Sequence, residues 1–267
     1  MIFKYKAYNT LLAELGRNDY VVEISELAIR EFLDSLKQFE NPELFIKEKC
    51  QKHSIMLSLD NSNNYYNQIT LGHIANVYHL AESFFYEIQT EYNTIVKSNW
   101  KFEAGKTKLA QIINFFKSLN RFNNQDKIEQ HLIDTFDYYH QLRVYFSHKK
   151  TTSEKEIENK WEKAKVHFNE ELLKRYKIKA GPKQIQDLDF EDFFLFTQIT
   201  KEIALRISSL GYPEPKGFSD IPELKKLKKY AVTGELPLRI ENYLKTKFGF
   251  GKENESDTLA EEIASHL

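Results

Sequence analysis

Residues 126–150 read DKIEQHLIDTFDYYHQLRVYFSHKK, and this stretch decides the fold predicted for the chain. On a helical wheel of 100° per residue, Phe136, Tyr139 and Arg143 all fall within roughly 40° of Leu132. The pattern predicts an amphipathic helix that carries an arginine in its apolar stripe. Because a buried guanidinium without a partner is costly, this arginine must meet an acid, a backbone carbonyl, a phosphate or water in a cleft.

The end of this helix is marked by a second signal. Ser153 and Glu156 have the spacing of a capping box, with the serine as N-cap and the glutamate at N3. One helix is therefore expected to end near Lys149, and a second to begin directly after the serine. His148 then falls in the last turn of the first helix, where the chain can turn its ring back toward Arg143.

The stretch YYHQLRVYFSH, residues 138–148, resembles the HEPN superfamily, whose signature is Arg-x4–6-His at the C-terminal end of a helix. The resemblance implies an all-α helical bundle that is commonly a dimer, and many members are metal-independent endoribonucleases of defence or toxin systems. The sequence departs from the family pattern at one position. Active members usually carry a polar residue, often asparagine, directly after the arginine, where this chain has Val144. The departure bears on catalysis and not on the fold.

Arg143 and His148 are the candidate catalytic residues. A histidine with an ordinary pKa near 6.5 can transfer protons at neutral pH. An arginine can hold two phosphate oxygens with its planar fork and stabilise the charge that develops on them. Cleavage by the 2′-hydroxyl of RNA requires no metal or other cofactor. The alternative is an Arg143 that pairs with a core carboxylate and a His148 that interacts with the helix dipole.

Five further residues complete the predicted site. In a dimer, Tyr139, Tyr145, Lys149 and Lys150 would line the cleft between two copies of the motif, and the aromatic rings could stack on unpaired bases. Packing in the core or in the dimer is the alternative role for the tyrosines, and the favoured one for Tyr139. Glu82 lies on the flank of another apolar stripe and is a candidate counter-ion for the arginine, with a solvated glutamate as the alternative.

The composition sets limits on function. The chain has 267 residues, a net charge of −1, 41% hydrophobic and 29% charged residues, which is typical of a globular protein. Any RNA site must therefore be a local patch of positive charge. Cys50 is the only cysteine, which excludes an intrachain disulfide and a cysteine-based zinc cluster and fits a reducing cytosol. No apolar run is long enough to span a membrane.

Apolar residues recur at helical spacing along most of the chain. Residues 1–211 are expected to form the HEPN-like bundle, and residues 212–267 a short basic helical extension that could lie along a phosphate backbone or present a solvated lysine face. Residues 1–18 are ambiguous. Helices are predicted at about 19–39, 69–96, 109–119, 154–177, 189–211, 222–231, 237–247 and 257–266.

The sequence thus favours an all-α cytoplasmic protein that dimerises through the helices carrying Arg143 and His148. The expected activity is metal-independent RNA cleavage, as in a toxin or antiviral effector, with an antitoxin or another defence-system protein as a partner. The alternative from a different class is an inactive HEPN-like dimerisation or binding module. A third reading is an unrelated helical scaffold.

Overall fold

The structure is a computed structural model that describes residues 3–56, 65–119, 128–148, 153–249 and 255–267. Within these ranges every regular element is helical, as the sequence predicts. The α-helices, in chain order, are α1 Lys6–Lys37, α2 Pro42–His53, α3 Tyr65–Val96, α4 Lys108–Ser118, α5 Gln130–Ser147, α6 Glu154–Lys165, α7 Glu170–Tyr176, α8 Phe190–Leu210, α9 Pro215–Phe218, α10 Pro222–Lys225, α11 Leu236–Phe248 and α12 Glu255–His266. Short 3₁₀ segments lie at Ile185–Asp187 and Lys226–Ala231.

Helix α3 is the centre of the bundle. It packs against α1, α5 and α8, and α5 in turn packs against α6 and α8. The face of α3 that carries Ile74, Ala81, Phe85 and Ile88 is at most 1% exposed, which is the stripe that the sequence pattern predicts. Helix α5 is therefore covered by α3, α6 and α8, and its exposed residues lie at its two ends.

Helix α5 is fixed by polar bonds as well as by packing. The Tyr139 hydroxyl donates to the Asp192 carboxylate of α8 at 2.9 Å, and the Tyr138 hydroxyl donates to the Lys183 carbonyl. Both tyrosines are completely buried. These two bonds tie the middle of α5 to α8 and to the segment that precedes it.

The capping box predicted at Ser153 is present, and α8 begins with a second one. Ser153 accepts from the Glu156 N–H at 3.2 Å, while the Glu156 carboxylate accepts from the Ser153 N–H at 3.2 Å. Asp189 and Asp192 make the equivalent reciprocal pair at the start of α8. Helix α5 ends at Ser147 with His148 as its C-cap, so the predicted break between α5 and α6 is confirmed.

The prediction of one helix over residues 154–177 is wrong. Helix α6 ends at Lys165, and α7 begins at Glu170 with Asn169 as its N-cap, whose side chain accepts from the Leu172 N–H at 3.0 Å. In the break, the His167 ring bonds to Asp134 of α5 at 2.8 Å. The turn between α6 and α7 therefore brings the His167 side chain against α5. In a continuous helix over residues 154–177 this side chain would lie in a different position.

The first helix is longer than predicted, since it begins at Lys6 and includes most of the ambiguous N-terminal stretch. The residues before it pack against the C-terminal helices. The Phe3 ring stacks on Phe248 at 4.8 Å, and the Lys4 N–H donates to the Phe248 carbonyl at 2.9 Å. The boundary at residue 211 stays a prediction. None of the helices in the described ranges combines the length and the apolar character needed to cross a bilayer.

Candidate anion-binding site

Arg143 lies on the half-buried side of α5, and its guanidinium is 5.4 Å from the centre of the Tyr78 ring on α3. This distance is within the range of a cation–π contact. Within the described ranges, no hydrogen bond and no ion pair joins the Arg143 side chain to another residue. The arginine in the apolar stripe is therefore held by an aromatic face, and the N–H groups of its fork have no acceptor among the described residues.

The predicted counter-ion serves another cation. The Glu82 carboxylate accepts from the Lys108 ammonium at 2.6 Å, and both side chains are about a quarter exposed or less. No ion pair within 4 Å joins Glu82 to Arg143 in the part of the chain that the structure describes. Glu82 does lie close to the Tyr78 ring, where its charge contributes to the raised pKa of the phenol. It is a neighbour of the site and not the partner of the arginine.

The Tyr78 ring also contacts a histidine of α5. The imidazole of His140 stacks on it with centres 4.6 Å apart and planes 10° from parallel. Burial lowers the pKa of His140 and raises the pKa of Tyr78 to about 12. Both groups are therefore neutral at pH 7, and the positive charge at this contact comes from Arg143.

The nearby lysines are already neutralised. The Lys160 ammonium binds the Asp137 carboxylate at 2.8 Å, as Lys108 binds Glu82. The charges of Lys160 and Asp137 act on His140, which places this pair beside the stack. Arg143 thus differs from the two lysines around it, because it has no carboxylate within reach in the described ranges.

His148 lies at the exposed C-terminal end of the same helix. Its N–H donates to the Val144 carbonyl at 2.8 Å, and its backbone leaves the helical region with φ −142° and ψ 56°. It is five positions after Arg143, which is about 7.5 Å along a helix axis. The motif therefore presents a half-buried guanidinium and an exposed imidazole at one end of α5.

The other predicted site residues have different environments. Tyr139 is 0% exposed and bonded to Asp192, so its ring has the packing role and offers no face to a base. Tyr145 is half-buried against the core cluster. Lys149 and Lys150 lie outside the described residues.

Tyr78 and His140 are the residues of this site that sequence reasoning missed. Tyr78 falls in the helix predicted over residues 69–96 and His140 in the motif stretch, but the sequence singles out neither of them as a site residue. Their stacking joins two helices that are far apart in sequence, so no spacing rule within either helix could reveal it. The only indication in the sequence is that both residues have aromatic rings and that Arg143 lies in an apolar stripe, where a ring could contact it.

No cluster of three or more His, Cys, Asp or Glu side chains suited to a metal ion occurs in the described ranges. The chain matches no protein-family model, and no curated protein or solved structure is significantly similar to it.

Proposed function

We propose that the chain is an RNA-binding endoribonuclease of the HEPN type, in which Arg143 binds the scissile phosphate and His148 transfers protons. One observation carries the proposal, namely that Arg143 is half-buried on Tyr78 without a carboxylate partner among the described residues. A partly desolvated guanidinium gains most from an anion that can accept two parallel hydrogen bonds. A phosphate diester of RNA meets that requirement.

The reaction would use the nucleophile that RNA itself supplies. A base removes the proton of the 2′-hydroxyl, the 2′-oxygen forms a bond to phosphorus, and the bond from phosphorus to the 5′-oxygen breaks. The leaving 5′-oxygen takes up a proton, so the products are a 2′,3′-cyclic phosphate and a 5′-hydroxyl. The Arg143 fork would stabilise the charge on the phosphorane, and the exposed imidazole of His148 would carry one of the two protons.

One protomer offers one histidine from the motif, whereas the reaction has two proton transfers. A two-fold dimer through α5 would supply the second copy of the Arg143–His148 pair. The net charge of −1 means that RNA affinity would come from this local site and would depend on salt concentration.

Cleavage of a mixed RNA pool in the presence of EDTA tests the proposal. We expect wild type to cut and to leave 2′,3′-cyclic phosphate ends, and we expect Arg143→Ala and His148→Ala each to lower the rate by about 100-fold or more. Arg17→Ala on α1 and His266→Ala on α12 change an exposed arginine and an exposed histidine elsewhere. Both control variants should cut at the wild-type rate. If the controls cut and the two site variants do not, a contaminating nuclease is excluded.

An inactive RNA-binding module is the second candidate, and Val144 favours it because active relatives of this motif usually have a polar residue there. Fluorescence anisotropy with labelled single-stranded RNA separates the two. The nuclease predicts that His148→Ala still binds RNA but does not cut it. The binding module predicts that wild type binds without cutting and that Arg143→Ala weakens binding. Unchanged binding and unchanged cleavage in Arg143→Ala would refute both.

A further inference from the structure

A second surface of the molecule, far along the chain from α5, is unusually apolar. The distal half of α1 and the whole of α2 form a helical hairpin, residues 20–56, which we term the hairpin arm. Nine large hydrophobic side chains of the arm are exposed: Tyr20 65%, Val21 61%, Ile24 49%, Leu27 61%, Phe32 40%, Phe39 48%, Leu44 53%, Ile55 57% and Met56 98%. In the rest of the described chain, exposed large hydrophobics are few and scattered, which is ordinary for a protein surface.

The exposed residues of α1 form one face. On a helical wheel Tyr20, Val21, Ile24, Leu27 and Phe32 lie within an arc of roughly 140°. The inward stripe of the same helix, which includes Val22, Ile29, Leu33 and Leu36, lies on the opposite side. This part of α1 is therefore apolar on two faces, and the protomer covers one of them, with Val22 buried and the other three residues of the inward stripe half-buried.

Helix α2 folds back over the distal end of the exposed face and leaves a groove. The Phe45 ring contacts Phe32 and Phe39, with centres 5.8 Å and 4.3 Å apart. A cavity of about 420 Å³ between the helices is lined by residues that include Phe32, Phe45, Cys50 and Ile55. The groove therefore extends the exposed apolar surface of α1, and α2 does not cover that surface completely.

The size of this surface fits a protein interface. At roughly 100 Å² for each exposed side chain, the nine residues present about 900 Å² on each protomer. A specific interface of standard size buries about 800 Å² on each partner, whereas the largest apolar patch of a typical monomer is about 300–600 Å². The arm alone is therefore large enough to support a stable dimer.

The charges of the arm favour a second copy as the occupant. Residues 20–40 contain five acidic and two basic side chains, and residues 42–53 contain two acidic and three basic side chains. A two-fold axis that places α1 of one protomer against α2 of its partner brings opposite net charges together twice. Glu31 on α1 and Lys49 on α2 line the groove of one protomer, and in this arrangement Glu31 of each chain would face Lys49 of the other.

We propose that the hairpin arm is a homodimerisation surface in which α1 of one protomer packs along α2 of its partner. The surface is separate from α5, so this association does not depend on RNA cleavage. If both surfaces associate, the chain forms an assembly larger than a dimer.

Sedimentation equilibrium over a concentration series tests the proposal. We expect the 31.6 kDa chain to associate reversibly, and we expect the double variant Ile24→Glu/Leu27→Glu to raise the dissociation constant at least about tenfold. Val232→Glu replaces a side chain that is 94% exposed outside the arm, and it should associate as wild type does. A wild type that is monomeric throughout, or a double variant that associates like wild type, would overturn the proposal.

Charge reversal and cross-linking provide evidence that a folding defect cannot mimic. Glu31→Lys and Lys49→Glu should each weaken self-association, and an equimolar mixture of the two variants should recover it, because each chain then meets opposite charges only across the two-fold axis. Cys50 is the only cysteine, so a bis-maleimide can link two chains only through this residue. A covalent dimer that forms in wild type and Val232→Glu but not in Ile24→Glu/Leu27→Glu supports the arm, and equal yields in all three contradict it.

Discussion

Tyr139→Phe removes the hydroxyl whose hydrogen bond joins α5 to α8, and the resulting loss of stability should depend on pH. The acceptor is the Asp192 carboxylate, which is 2% exposed. Besides Tyr139 at 2.9 Å, it accepts from the N–H groups of Lys183 at 3.0 Å and Asp189 at 3.2 Å. Burial raises the pKa of Asp192 to about 6, although all three hydrogen bonds act to lower it.

The sign of the pH dependence follows from the raised pKa. Between about pH 4 and pH 6 the folded chain holds a proton on Asp192 that the unfolded chain has released. The free energy of unfolding therefore falls as pH rises through this window, by about 3 kcal/mol from this group. Without the Tyr139 hydroxyl the pKa rises further, so the variant loses more stability at high pH than at low pH.

The expected loss is about 1 kcal/mol near pH 4, where Asp192 is neutral, and about 2–3 kcal/mol at pH 8, where the phenol stabilises a charged acceptor. For a chain of this size the loss at pH 8 corresponds to a drop of roughly 4–10 °C in melting temperature. Urea unfolding followed by circular dichroism at several pH values measures it, with Tyr20→Phe, on an exposed ring, as the control. An equal loss at pH 4 and pH 8 would refute the reasoning.

Three local substitutions give further predictions, each measured as the urea midpoint at constant m-value. Ser153→Ala removes the N-cap of α6 and should cost about 1 kcal/mol; a Ser153→Asp variant should keep most of that stability. Gly211→Ala should destabilise by about 1–3 kcal/mol, because the added Cβ would lie 2.5 Å from the Phe116 ring. Gly16→Ala in α1 meets nothing within 4 Å and should stabilise by about 0.5–1 kcal/mol, and a loss there would contradict the assignment of open space.

The parts of the fold that the sequence predicted well depend on contacts between near neighbours in the chain. A capping box involves residues three apart, so Ser153 and Asp189 could be identified as helix starts before any packing was known. The long stripe of α3 follows from a period of 3.6 residues. The break at Asn169 was also local, because an asparagine followed by two glutamates is a helix start, but the apolar seam across it suggested continuity.

The parts that could not be predicted depend on pairs of residues from different helices. Tyr139 and Asp192 are 53 residues apart. The hydrogen bond between them can be predicted only if α5 and α8 are known to be neighbours. The same holds for His140 on Tyr78. Sequence reasoning placed these tyrosines on apolar stripes, which was sufficient for the fold and insufficient for the site.

The partner of Arg143 decides what the site can do. If Glu82 bound the guanidinium, a phosphate would have to displace a carboxylate that already makes the same hydrogen bonds, and little free energy would be gained. The structure instead places Glu82 on Lys108 and Arg143 on the Tyr78 ring. An aromatic face fixes the plane of a guanidinium without using its N–H groups, which leaves the fork oriented and available to an anion. If Arg143 binds RNA as proposed, Tyr78→Leu should lower the affinity measured by fluorescence anisotropy through the position of Arg143, whereas Tyr78→Phe, which keeps the ring, should match wild type.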